Sequence, residues 1–140
     1  MRKSKTGQEI EDDIYRLVKE GDLPSLVSGS LYRYDMRPRD SQKEDIIVKF
    51  VTGYDSDIQS GTVVVNIYIP DIDPYDNGVF VRDIARCKEL EIAANEWAQS
   101  LTAAKSNYRF WLAQTIYTEE ETELKQHFVT IRLRFRLPTF

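Results

Sequence analysis

Between His127 and Leu137 the chain alternates without interruption, with Val129, Ile131, Leu133, Phe135 and Leu137 pointing one way and Thr130, Arg132, Arg134 and Arg136 the other. A period of two over that length would scatter the apolar groups around a helix, so the segment is a β-strand with one buried and one basic face. At the other end of the chain, Ile10, Ile14, Leu17 and Val18 recur at helical spacing, and Thr6 followed by Glu9 matches a capping box. A first helix is therefore expected from Thr6 to Glu20, ended by Gly21.

Between these two segments the pattern alternates between types. The stretch 26–32 reads as a short element entering extended chain, and Arg37-Pro38-Arg39-Asp40 as a polar loop. Ile46 to Val51 is a strand in which Ile46, Val48 and Phe50 oppose Ile47, Lys49 and Val51. Gly53 to Gly61 is a polar hairpin connection. Thr62 to Pro70 is rich in β-branched residues on both faces, which suits a central strand covered on part of each side.

The loop Asp71 to Gly78 feeds a second helix, Val79 to about Leu101, whose stripe is Phe80, Ile84, Cys87, Leu90, Ala94, Trp97 and Leu101. Tyr108 to Tyr117 and Phe128 to Leu137 close the chain as a strand pair joined through Glu119 to Glu123. Strands that come as hairpin neighbours, not one-for-one with helices, predict an α+β fold: two layers, a mostly antiparallel sheet with two helices packed on one face.

At 140 residues the chain suits a single domain over 1–140, with residues 1–6 expected to be flexible. Its 41% apolar and 30% charged residues are those of a folded globular protein. A net charge of -4 gives no general attraction to nucleic acid or anionic lipid, so binding of that kind needs a local patch. The single cysteine, Cys87, leaves no intramolecular disulfide and no cysteine-based zinc cluster, and points to a reducing compartment. No window approaches the roughly 20 apolar residues of a membrane span and no signal-peptide core follows Met1, so no membrane association is expected.

Candidate chemistry is sparse. Arg132, Arg134 and Arg136, extended by Arg109 on the neighbouring strand, could track a polyanion. The alternative, which is favoured, is a solvated face whose arginines pair with Glu119 to Glu123 or with acidic residues of a neighbouring subunit. No base-stacking aromatic residues interleave with those arginines, which counts against sequence-reading or single-strand binding. Asp71, Asp73, Asp76 and Asn77 form a loose acidic loop, but the twelfth position from Asp71 is Arg82 where a calcium loop needs glutamate. Turn formation, with Asp76 or Asn77 capping the second helix, accounts for them.

His127 lacks a nearby nucleophile and reads as a surface or strand-edge residue, and Cys87 in its apolar stripe reads as an inert core thiol. No catalytic site, metal site or cofactor is predicted. Eight tyrosines give weak support for association, since tyrosine and arginine are enriched in interface cores.

Read in order, "IEDDIYRLVKEG", "LPSLVSGSLYRYDMRPRDSQKEDIIVKF", "TVVVNIYIP", "RDIARCKELEIAANEWAQSL" and "HFVTIRLRFRLPTF" resemble the small tail completion, or tail terminator, proteins of long-tailed bacteriophages and prophages. The resemblance spans nearly the whole chain and rests on element order and on the run through "LVSGSLYR" into a strand. It implies helices against an antiparallel sheet and a non-enzymatic virion assembly protein. Such a protein forms a homo-oligomeric ring at the head-tail joint and docks to tail-tube or connector proteins, in a virion built in the bacterial host cytoplasm. One protomer's basic strand face or edge would meet the acidic loops of the next. Two other classes stay open: a small nucleic-acid-associated protein using the arginine row, and an enzyme built on carboxylates such as Asp71, Asp73 and Asp76.

Overall fold

In the computed structural model, which describes residues 4–101 and 107–139, α1 (Gly7–Glu20) opens the chain with the expected capping box. Thr6 Oγ1 accepts from the Glu9 backbone N–H, and the Glu9 carboxylate accepts from the Thr6 N–H, an arrangement that stabilises a helix start by about 1 kcal/mol. Just before the helix, the Lys5 backbone exchanges two hydrogen bonds with the Gln59 side chain, at 2.9 and 2.8 Å. Residues 1–3 lie outside the described residues. Ile10, Ile14 and Val18 carry the buried face of α1, each burial contributing about 1.5–3 kcal/mol.

After a single helical turn, α2 (Leu23–Leu26), come β1 (Leu31–Arg33), β2 (Ile46–Tyr54) and β3 (Ile58–Pro70). Then follow α3 (Ile84–Ser100), β4 (Arg109–Leu112), β5 (Tyr117–Glu121) and β6 (Gln126–Pro138). The strands form one mixed sheet in the order β1-β2-β3-β6-β4, with β5 also on β6. All pairings are antiparallel except β1 with β2, which is parallel.

One face of this sheet carries the core. Val63 faces Leu133, Val65 faces Ile131 and Ile67 faces Val129 across the β3–β6 ladder. All six are buried, and α1 and α3 cover them. The fold is α+β, with its helices packed on the sheet.

Four boundaries differ from expectation, each because tertiary pairing extends or cuts a local pattern. The hairpin connection expected over Gly53 to Gly61 is mostly strand, with Gly53 opposite Gly61 in the ladder and a turn only at 55–57. The expected strand Tyr108 to Tyr117 is broken into β4 and β5, both on β6, and Glu119 to Glu121 belong to β5 and not to a connecting loop. The turn that follows places Lys125 at φ 47°.

Helix α3 starts at Ile84, five residues later than expected. Ile72 and Val81 exchange backbone hydrogen bonds at 2.9 and 2.8 Å, which holds 79–81 extended. Asp83 is the N-cap, accepting from the Arg86 N–H, so neither Asp76 nor Asn77 caps the helix. Phe80 and Ile84 are consequently exposed, while Cys87, Leu90, Ala94, Trp97 and Leu101 form the buried stripe.

Gly29, within the run "LVSGSLYR", shows why that segment is small-residued. A Cβ there would lie 1.9 Å from Asp45 Oδ1 and 2.5 Å from the Glu44 carbonyl oxygen. Its neighbours clasp the same two acids: the Ser30 N–H donates to Asp45 Oδ1 at 2.9 Å, and the Glu44 N–H donates to Ser28 Oγ at 3.1 Å.

Candidate functional site

The sheet face turned away from the helices is covered, among the described residues, only at one end, by the chain between β1 and β2. By strand alternation it carries Ile47 and Lys49 from β2, Thr62, Val64, Asn66 and Tyr68 from β3, and Phe128, Thr130, Arg132, Arg134 and Arg136 from β6. Arg109 and Trp111 join them from β4, since Arg109 lies opposite Arg136 and Trp111 opposite Arg134. The four arginines expected to form a site therefore share one face and sit together at one end of it.

No carboxylate of the described residues lies within ion-pair distance of Arg109, Arg132, Arg134 or Arg136, so the expected pairing with Glu119 to Glu123 inside the chain does not occur. The reason is register. Glu119 and Glu121 share this face but lie opposite Phe128 and Gln126, at the other end of β6 from Arg134 and Arg136.

Aromatic residues do accompany the arginines, but from neighbouring strands. The Arg136 guanidinium lies 5.5 Å from the centre of the Trp111 ring, a cation–π contact. Tyr54 from β2 joins Trp111, Arg134 and Arg136 around a concavity of about 440 Å³ whose floor is Thr52, Ser60, Gly61 and Thr62. Trp111 is 40% exposed and Tyr54 71%. No reading along one strand could find this combination, because it is made by cross-strand register.

The other end of the same face is closed by the chain between β1 and β2. Arg37, in the expected polar loop, lies 4.3 Å above the Tyr68 ring and reaches Asp45, Gln126 and the Ser41 carbonyl. Burial pushes the Asp45 carboxyl up, but hydrogen bonds from Ser41, Arg37 and the Ser30 N–H outweigh it and hold the carboxyl below the usual aspartate range. Burial also raises the Tyr68 hydroxyl. Beside this clamp a concavity of about 320 Å³ remains between Arg37, Lys49, Asn66 and Tyr68, separate from the one at the basic end.

The acidic loop is engaged in its own structure. Asp73 accepts from the Asn77 and Gly78 N–H groups at 3.1 and 2.8 Å, and Asn77 Oδ1 accepts from the Val79 N–H. His127, expected as a surface or strand-edge residue, stands partly buried at the start of β6: its Nδ1 lies 2.6 Å from Asp71 Oδ1 and the pair ties the loop to β6. Among the described residues no three potential metal ligands cluster. No helix is long and apolar enough to cross a membrane.

What the loop does present is apolar surface. Ile72, Tyr75, Val79, Phe80, Val81 and Ile84 are all exposed, Tyr75 by 79% and Ile84 by 64%, on an arm braced by the Ile72–Val81 bridge. Periodicity assigned Phe80 and Ile84 to a core stripe, so this surface was missed. No protein-family model and no curated protein matches the chain.

Proposed function

We propose that this chain is a non-enzymatic virion assembly protein of a phage or prophage, of the tail completion or head-tail joining kind. It acts by ring-like self-association and by docking to tail-tube or connector proteins, in a virion assembled in the bacterial host cytoplasm. The observation that carries the reading is the arm between β3 and α3, where six large apolar residues stand exposed within thirteen positions. Exposed apolar residues gathered in one short segment mark a site of protein association, because burying them in a neighbour gains roughly 25 cal/mol per Å².

The receiving surface is the neighbour's sheet edge. Strand β4 ends the sheet, and no strand of the described residues pairs with its outer side. An unpaired edge offers backbone N–H and C=O groups to an incoming segment. An apolar arm on one copy and an edge on the next give a head-to-tail contact, which closes into a ring when the rotation allows. The element order supports the same reading, since helices against a largely antiparallel sheet are what the resemblance implies.

Light scattering at several concentrations tests the proposal. The wild-type protein is expected to exceed the mass of one chain and to grow with concentration, and Phe80→Ser with Ile84→Ser to lower that mass while leaving the melting temperature in place. A wild-type protein that stays monomeric up to high micromolar concentration overturns it.

A further inference from the structure

We propose that the basic end of the open sheet face binds single-stranded nucleic acid, with Arg109, Arg132, Arg134 and Arg136 holding successive phosphates and Trp111 stacking on a base. This goes beyond the assembly reading and stands without it, because the arm and the outer edge of β4 are not used.

Three observations carry it. Side chains two apart on one face of a strand are about 6.8 Å apart, so Arg132, Arg134 and Arg136 form an evenly spaced row, and the register of β4 sets Arg109 beside its end. A row of this period fits the repeating phosphates of an extended strand. None of the four has a carboxylate partner among the described residues, and none donates a side-chain hydrogen bond there, so their charge is available to a ligand. Beside the row stands a flat, partly exposed indole, with Tyr54 across the concavity. Cationic groups tracking a backbone beside aromatic platforms are the recurrent means of holding single strands without sequence preference.

The floor decides between a nucleic acid and an acidic protein. Between Trp111 and Tyr54 it is made of Thr52, Ser60, Gly61 and Thr62, with Phe135 beneath Gly61. A protein interface centres on desolvated apolar anchors, and the one apolar side chain of this floor, Phe135, is fully buried in the core and offers no exposed anchor. Small polar residues instead let a charged backbone approach the sheet closely. The net charge of -4 does not oppose this, because Glu119 and Glu121, on the same face, lie toward the far end of β6 and bound the basic tract.

The test is fluorescence anisotropy of the full chain with labelled oligo-thymidine and oligo-uridine, run across a salt series, together with intrinsic tryptophan emission. Trp97 is buried on α3, so quenching on binding reports Trp111. Four phosphate contacts on a single strand predict a log–log salt slope of about -3, at roughly -0.7 per contact. The variant Arg132→Ser, Arg134→Ser, Arg136→Ser should lose most of the affinity and flatten the slope to about -1. Trp111→Ala should weaken binding by about tenfold with the slope unchanged, since stacking releases no counterions. Lys88→Ser, on the exposed side of α3, should change nothing, and far-ultraviolet dichroism should match the wild type for every variant.

Absence of binding at low salt overturns the proposal. So does binding without tryptophan quenching that polyphosphate reproduces equally, which would make the face a general anion patch. A triple variant that dissociates the oligomer, in a protein that ignores both oligonucleotides, would assign the face to a protein contact instead.

Discussion

Arg37 Nε donates to Asp45 Oδ2 at 2.8 Å, and both side chains are almost withdrawn from water, at 7% and 1% exposure. The guanidinium also donates to Gln126 Oε1 and lies over Tyr68, so one ion pair ties the chain between β1 and β2 to the open face of β3 and β6. Removing one member leaves the other charge buried and unpaired. Asp45→Ala is therefore expected to destabilise the fold by about 3–5 kcal/mol, and Arg37→Met combined with Asp45→Leu by less than the sum of the single changes. Urea denaturation measures both, and a loss below about 1 kcal/mol for Asp45→Ala would show that the pair does not hold this segment.

Gly29 and Gly78 should respond differently to alanine. At Gly29 the new methyl group meets the Asp45 carboxylate and the Glu44 carbonyl, so the cost is overpacking, about 3 kcal/mol. At Gly78 nothing lies within 4 Å of an added Cβ, and the cost is that of a φ of +78°, about 1 kcal/mol. Thermal unfolding of the two variants should rank them in that order, and the reverse order would contradict the close approach at Gly29.

Acid should weaken the fold through the carboxylates beside α2. The Arg86 guanidinium donates to both oxygens of Glu44, at 2.7 and 2.8 Å, and holds that carboxyl below the usual glutamate range. A carboxyl lowered by folding contributes stability that is complete above its unfolded value, about 4.3, and is lost as pH falls through the lower folded value. Asp45 acts in the same direction. Urea midpoints should hold from neutrality down to about pH 4.5 and drop below it, and Glu44→Gln should make that drop shallower. An unchanged slope would place the acid sensitivity elsewhere.

Cys87 lies in the core stripe of α3, 3% exposed, and burial pushes its thiol up. Because the thiolate is the reactive species, a disulfide reagent should label the native protein slowly and the urea-unfolded protein fast. Fast labelling under native conditions would mean that α3 opens readily from the sheet.

The sequence by itself determined the elements whose signal is periodic and local. Alternation along β6, the 10-14-18 spacing and capping box of α1, and the β-branched run of β3 each recur in the fold, because burying one face is a condition the chain must meet whatever surrounds it. The α+β class followed from their order. Tertiary structure decided what pairing between distant segments sets.

The Ile72–Val81 bridge holds residues 79–81 out of a helix that their periodicity would allow, and exposes Phe80 and Ile84. Glu44 and Asp45 draw Ser28, Ser30, Arg37 and Arg86 together from three separate stretches. The four arginines were legible as candidates, but their setting was not: cross-strand register brings Trp111 to Arg136 and carries the glutamates away toward the far end of β6. A residue's alternation gives the face it occupies, and only the pairing of strands gives its neighbours there.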